Sequence, residues 1–246
     1  MNLYGLIGYP LGHSFSKQYF TEKFQKEGLS DCFFEAFPID SIGKFPELLK
    51  NNPSLKGLSV TIPYKEQVLK YVDELSEEVK YIGATNSIKI KNGKLTGYNT
   101  DIVGFEKTFE RLLQPHHNKA LILGSGGAAK AVQFVLEKRG IDFFTVTRNE
   151  HPPAGFIAYG ETGSKMKEGY RVIINCSPAG MSPNEHTCPD IPYELIDNSF
   201  YLYDLVYKPA KTLFLQKGEE RGAAVENGYE MLLIQAEASW KIWNDF

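Results

Sequence analysis

The chain has 246 residues, 42% of them hydrophobic and 23% charged, with a formal net charge of −3 at pH 7. This is the composition of an ordinary globular protein, long enough for one large domain or two smaller ones. The slight acidic balance, with no long Lys/Arg run, argues against nucleic acid as a partner, and no stretch approaches the ~20 apolar residues that a membrane span needs.

Strand-like and helix-like segments alternate along the chain, which predicts an α/β fold. Residues 3–8 are short, apolar and glycine-bounded and are expected to form a buried strand. A helix is predicted over 16–27, with Phe20 and Phe24 on one face, Ser16 able to cap it and Gly28 as its stop. Strands are expected at 33–37 and 57–61, the latter ended by Pro63, followed by short helices at 64–72 and 77–82. Strands at 84–90 and 94–98 flank Asn92-Gly93, a strong hairpin signal. Residues 102–113 place Ile102, Phe105, Phe109 and Leu112 at helical spacing.

After a linker-like segment at 114–119, the pattern becomes that of a dinucleotide-binding fold. A strand at 120–123, a helix at 126–139 closed by Gly140 and a strand at 143–147 follow one another. Further strands are expected at 171–175 and 201–204, and a long amphipathic helix at 230–243. Residues 149–167 are rich in Gly, Pro and polar side chains and carry no clear periodicity.

Cys32, Cys176 and Cys188 are odd in number and far apart, which predicts reduced thiols and no disulfide framework or zinc ribbon. No histidine lies in an H-E-x-x-H pattern or pairs with a cysteine at ligand spacing, so no metal is expected. The opening residues lack a cationic stretch, and Gly5, Gly8 and Pro10 interrupt their apolar run, so no secretory signal is expected and the protein reads as cytoplasmic.

The segment Gly124-Ser125-Gly126-Gly127-Ala128-Ala129 fits G-x-G-x-x-[G/A] between a predicted strand and a predicted helix. Gly124 would permit the tight turn, Gly126 the approach of a pyrophosphate, and Ala129 close packing of helix on strand. The phosphates would meet free N–H groups at the positive helix end. At the end of the next strand stand Thr147-Arg148-Asn149 and no carboxylate. A guanidinium matches a 2′-phosphate and an acid would repel it, so NADP is expected over NAD.

The first hundred residues also set polar groups at strand ends, where ligands bind in α/β sheets. Each has a plainer alternative: Ser14 or Ser16 as a helix cap, Asp101 as the cap of the next helix, Lys65 as a solvated lysine, Asn86 as a turn residue. Taken in order, Gly8-Tyr9-Pro10-Leu11-Gly12-His13-Ser14-Phe15-Ser16, Val60-Thr61-Ile62-Pro63-Tyr64-Lys65, Gly83-Ala84-Thr85-Asn86 and Asn99-Thr100-Asp101 resemble the motifs of the shikimate dehydrogenase family. The glycine turn follows in register, as do Tyr203-Asp204-Leu205-Val206-Tyr207 and the ending from Gly228-Tyr229-Glu230-Met231 to Gln235-Ala236.

The resemblance implies a substrate domain at 1–101 completed by the C-terminal helix 228–246, a Rossmann-type NADP-binding domain at 102–227, and a cleft between them. It implies that Ser14, Ser16, Thr61, Asn86, Tyr207 and Gln235 bind the substrate and that Lys65 and Asp101 are catalytic. It places the cofactor against Gly124, Ser125, Gly126, Gly127, Ala128, Thr147, Arg148, Leu205, Gly228 and Met231. The expected reaction is reversible NADPH-dependent reduction of 3-dehydroshikimate to shikimate by a monomer or homodimer acting on a small molecule. The alternatives are a quinate or aminoshikimate dehydrogenase, a non-catalytic metabolite sensor of the same fold, and a Rossmann oxidoreductase of other specificity. The chain departs from the family pattern at Lys17, where a proline is common, at Ser59, where asparagine is common, and in the order Thr147-Arg148-Asn149. It is also short after Asn149 and at the C-terminus.

Overall fold

Strand β1 (Asn2–Gly8) is apolar on both sides of its pleat, and both sides are covered. Leu3 and Ile7 join Phe45, Leu58, Val60 and Ile88 in one core, while Tyr4 and Leu6 join Phe20, Phe34, Trp240 and Trp243 in another. A continuous apolar run in a central strand has this consequence, because successive side chains point to opposite faces. β1 pairs in parallel with β2 (Cys32–Pro38) and β3 (Leu55–Val60). The sheet is completed by β4 (Glu74–Leu75), β5 (Ser87–Lys91) and β6 (Lys94–Tyr98) in the order β2-β1-β3-β5-β6-β4. Asn92 and Gly93 link β5 to β6 with φ of 53° and 76°, the left-handed pair that matches the twist of a tight hairpin.

The computed structural model describes residues 1–12 and 15–245. The chain divides into two compact units, residues 1–100 with 235–246 and residues 101–234. In the first unit α1 (Phe15–Lys26) buries Phe20 and Phe24. Ser16 lies inside the first turn of α1, so it is not the residue that caps it. α2 (Phe45–Asn51), too short to announce itself by periodicity, buries Phe45 and Leu48. The helix expected at 64–72 is a tighter 3-10 turn at Gln67–Tyr71. Its helical signal came from Tyr64 and Val68, whose backbones share one bond at 3.0 Å. α3 (Glu77–Ile82) is capped by the Ser76 hydroxyl and stopped by Gly83 at φ 64°.

The second unit holds a wholly parallel sheet in the order β12-β11-β10-β7-β8-β9. Its strands are β7 (Lys119–Leu123), β8 (Asp142–Thr147), β9 (Phe156–Ala158), β10 (Val172–Asn175), β11 (Tyr201–Asp204) and β12 (Ala224–Asn227). By chain order the sheet runs third, second, first, fourth, fifth, sixth, the doubly wound dinucleotide-binding arrangement. α4 (Asp101–Phe109), α5 (Gly127–Lys138), α6 (Thr162–Lys167) and α7 (Leu213–Glu219) belong to this unit. Residues 148–155 alone join β8 to β9, with no helix between them. A parallel crossover ordinarily takes about a dozen residues or more, and the shorter link goes with a strand of three residues.

α8 (Tyr229–Trp243) runs through the division: its residues to Ile234 count with the second unit and those from Gln235 with the first. Within the second unit it crosses α4 closely, since a Cβ on Gly104 would lie 2.6 Å from the Met231 carbonyl. Within the first, Ala236, Trp240 and Trp243, spaced on one helical face, enter the aromatic core. The Tyr4 ring meets Trp240 edge-on at 5.0 Å and stacks on Trp243 at 5.5 Å, and its hydroxyl donates to Asn244 Oδ1 at 2.8 Å. A Cβ on Gly57 would fall 2.3 Å from the Trp243 indole, so β3 needs glycine there.

Candidate active site

In the first unit the expected residues gather at one end of the sheet. β1, β3 and β6 finish there and β5 begins there. Thr61 follows β3 directly. Its N–H donates to Ile7 O at 2.9 Å, and its carbonyl accepts from Tyr64 N–H at 2.9 Å. A Cβ on Gly8 would meet the Thr61 methyl at 2.5 Å, so the bare Gly8 backbone makes room for that side chain. Lys65, half-buried, lies one turn on, and its carbonyl accepts from Thr85 N–H at 2.8 Å. That bond ties the lysine's backbone to the segment that carries Asn86.

Asn86 is 3% exposed and is not an open turn residue. Its Oδ1 accepts from Thr100 N–H at 2.7 Å. Its Nδ2 donates to Thr100 Oγ1 at 3.0 Å and to Gln235 Oε1 at 3.3 Å. Thr100 Oγ1 also lies 3.0 Å from Ser239 Oγ. The sheet end thus presents neutral donors and acceptors fixed by burial and by one another. Such a lining suits a small ligand bearing several hydroxyls, because a buried polar group left unpaired by the wrong ligand is costly. Ser16 is half-buried on α1, and Ser14 lies outside the described residues.

In the second unit the three residues of the glycine fingerprint have three separate reasons. Gly124 has φ 110°, a backbone that side chains rarely adopt. Gly126 has φ −78° and ψ −178°, open to any residue, and a Cβ there would meet nothing within 4 Å. Neither strain nor packing within the chain demands that glycine; bare backbone facing open space is what an approaching pyrophosphate needs. Ala129 is fully buried at the packing surface of α5. Ser125 is exposed, and Gly127 and Ala128 open α5 with no side-chain cap, leaving its first N–H groups for an anion.

Thr147 ends β8 and its hydroxyl accepts from Asn149 N–H at 3.3 Å, which folds the chain so that Arg148 stands exposed beside the sheet end. Across the sheet, the loop after β11 is anchored by Asp204. Its carboxylate accepts from Thr212 Oγ1 at 2.5 Å, Asn175 Nδ2 at 2.9 Å and Val206 N–H at 3.0 Å. Asp204 is fully buried, and burial raises its pKa to about 6 despite those donors. Leu205 N–H donates to Asn175 O at 3.0 Å, and Tyr207, half-buried, lies on this anchored loop with its phenol pushed up by burial.

A Cβ on Gly228 would lie 2.2 Å from the Leu205 carbonyl, so this glycine has a packing reason of its own. Met231 is buried against Gly104. Asp101 is 6% exposed and is itself the first residue of α4, where a carboxylate also answers the positive helix end. The candidates therefore fall into two sets. Ser16, Thr61, Lys65, Asn86 and Gln235 belong to the first unit; Asp101, Tyr207 and the cofactor-side residues belong to the second.

Sequence reasoning did not single out Thr100 as more than a motif letter, nor Ser239 at all. The four-residue step from Gln235 to Ser239 on a helix was the available signal. Among the described residues no group of His, Cys, Asp and Glu is placed to hold a metal, and no helix is long and apolar enough to cross a membrane.

The family model for the shikimate dehydrogenase substrate binding domain matches residues 6–88. Over 99% of its length the chain is 36% identical to a shikimate dehydrogenase (NADP(+)) from Pyrococcus abyssi, covering 92% of that protein. A crystal structure of a chorismate mutase/shikimate 5-dehydrogenase fusion protein from Clostridium acetobutylicum is similar with a TM-score of 0.88 at 37% identity, over 100% of this chain and 92% of that one. The shikimate 5-dehydrogenase of Thermus thermophilus in complex with NADP(H) and shikimate gives a TM-score of 0.87 at 28% identity, over 100% of this chain and 94% of that one. With such matches along its whole length, joined to a buried amide cluster at one sheet end and a phosphate-ready glycine turn at another, the chain belongs to the shikimate dehydrogenase family.

Proposed function

We propose that the chain catalyses the reversible NADPH-dependent reduction of 3-dehydroshikimate to shikimate, in the biosynthesis of chorismate and the aromatic amino acids. The first unit binds the substrate and the second the cofactor. The observation that carries the reading is the neutral Asn86–Thr100–Gln235 cluster, with Asn86 and Thr100 buried and Gln235 half-buried, at a sheet end next to Thr61 and Lys65. Residues 124–128 with the α5 N-terminus hold the pyrophosphate of NADP, and Arg148 with Thr147 takes the 2′-phosphate. Gly228 and Met231 would lie near the nicotinamide, and Leu205 would also contact the cofactor. The cofactor, when bound, supplies the hydride.

The chain's own residues supply the rest. Ser14 and Ser16 hold the substrate carboxylate, and Thr61, Asn86, Tyr207 and Gln235 bind its ring hydroxyls or complete the carboxylate site. As the ketone becomes an alcohol, negative charge develops on its oxygen. The Lys65 ammonium stabilises that charge and delivers the proton, and Asp101 orients the lysine and balances its charge. In the reverse direction neutral Lys65 accepts the hydroxyl proton. The enzyme works in the cytoplasm, where Cys32, Cys176 and Cys188 stay reduced, as a monomer or homodimer without nucleic acid.

The test follows the near-ultraviolet absorbance of the reduced nicotinamide with shikimate as substrate, comparing NADP⁺ with NAD⁺ and using quinate as control. Turnover of shikimate with NADP⁺ is expected; preference for quinate or for NAD⁺ overturns the assignment. Lys65→Ala lowers kcat by roughly 10²–10⁴-fold, since its interaction grows in the transition state. An unchanged kcat with a raised KM removes Lys65 from that role.

A further inference from the structure

We propose that Asn175 is a positioning residue for the cofactor: its side-chain amide ties the loop after β10 to the loop after β11 and so sets the wall that receives the nicotinamide half of NADP. Resting on the reading of the second unit as the NADP-binding unit, this role needs no contact between Asn175 and the cofactor itself. Asn175 ends β10, and β10 stands in the sheet between β7, which leads into the glycine turn, and β11, which leads into the loop of Leu205. The strand order reverses between β7 and β10, and open α/β sheets hold their ligands in the crevice at such a reversal. On one side of the β10 loop lies the turn that fits the pyrophosphate: a Cβ on Gly124 would come 3.3 Å from Ser177 N. On the other side lies the β11 loop, whose Leu205 carbonyl is the close neighbour of Gly228.

The direction of the Asn175 amide follows from partners whose roles admit no choice. The Ser177 backbone N–H can only donate, so the Asn175 atom 3.1 Å from it is Oδ1; the Ala179 carbonyl can only accept, so the atom 3.2 Å from it is Nδ2. Oδ1 accepts a second time, from the Ser177 hydroxyl at 2.6 Å, and Nδ2 donates a second time, to Asp204 Oδ1 at 2.9 Å. These bonds use the whole capacity of a fully buried amide. Three of them wind residues 177–179 around the side chain, and Ala179 N–H closes the winding by donating to Ser177 Oγ at 3.3 Å. The fourth reaches Asp204, which also accepts from Val206 N–H at 3.0 Å and from the Thr212 hydroxyl. Alongside it the Asn175 carbonyl accepts from Leu205 N–H at 3.0 Å, so the two loops are joined through both backbone and side chain. The glycine turn is held from its far side, where Gly124 N–H donates to Val146 O at 3.1 Å. Loss of the Asn175 amide therefore loosens the nicotinamide side of the site and leaves the adenosine side in place.

The test compares two ligands by calorimetric titration. NADP⁺ reaches both sides of the site, whereas adenosine 2′,5′-bisphosphate carries the phosphates of the adenosine half and no nicotinamide. Asn175→Ala raises Kd for NADP⁺ roughly tenfold, the factor of one neutral hydrogen bond, and leaves Kd for the bisphosphate within about twofold. Ser177→Ala keeps the amide and removes only one of its partners, so it raises Kd for NADP⁺ by a smaller factor of about three, again sparing the bisphosphate. A merely structural role would weaken both ligands together, and retained binding of the bisphosphate shows that the second unit is folded. Should Asn175→Ala bind neither ligand, Ser177→Ala decides. An unchanged Kd for NADP⁺ in Asn175→Ala, or equal losses for the two ligands in Ser177→Ala, overturns the proposal. A wild-type chain that binds neither ligand overturns the NADP reading and the proposal with it. The measurement needs no turnover, so a chain that shows the split yet leaves shikimate untouched in the absorbance assay upholds the role of Asn175 and overturns the substrate assignment alone.

Discussion

Replacing Asp204 by asparagine tests how the loop after β11 is anchored. The carboxyl is fully buried and its pKa is raised from 3.8 to about 6 by desolvation, against the pull of bonds from Thr212, Val206 and Asn175. Between those two values the unfolded chain has released the proton and the folded protein has kept it. The contribution of Asp204 to stability is therefore complete below the lower value, falls as pH rises through the window, and levels off above the upper one. At about 1.4 kcal/mol for each unit, the loss across the window is about 3 kcal/mol. Asparagine does not titrate, and it can keep the geometry by offering Nδ2 to Thr212 Oγ1 and Oδ1 to Asn175 and Val206. The stability of the wild type minus that of Asp204→Asn should fall by about 3 kcal/mol between about pH 3 and about pH 7. Both tryptophans lie in the first unit, so indole fluorescence would report the wrong part of the chain. Hydrogen–deuterium exchange of the β10 and β11 amides reads the second unit directly. A difference that is flat with pH, or that grows as pH rises, refutes the argument that burial dominates at this carboxyl.

Gly57→Ala forces a Cβ to within 2.3 Å of the Trp243 indole, and overpacking of this kind costs typically 1–3 kcal/mol. Urea unfolding followed by tryptophan fluorescence checks it, and an unchanged midpoint would mean that the C-terminal helix can shift without penalty. Arg148→Gln removes a charged fork, so KM for NADP⁺ should rise roughly tenfold to a hundredfold while KM for NAD⁺ stays put. Equal losses with both cofactors would remove the 2′-phosphate as its target.

Where local chemistry suffices, the sequence spoke plainly. Asn92-Gly93 adopts the left-handed hairpin turn, and Gly83 and Gly140 stop their helices at positive φ because few other residues tolerate that backbone. The alternation of apolar strand and amphipathic helix marked β7, α5 and β8 to within a residue of their ends. β9 and β12 escaped notice: three and four residues long, half-buried, they hold their place by pairing with neighbours rather than by any pattern of their own. The site divides in the same way. The glycine turn could be read because its three requirements act between adjacent residues. Asn86 and Gln235 lie 149 positions apart, and which end of each amide faces the other follows from a backbone N–H that only the folded sheet brings into reach. Likewise Gly57 and Gly228 look like ordinary glycines in the sequence, and only the approach of Trp243 and the Leu205 carbonyl makes them obligatory. Propensity and periodicity are written in neighbouring residues. Hydrogen-bond direction and close approach depend on partners distant in the chain, so packing alone decides them.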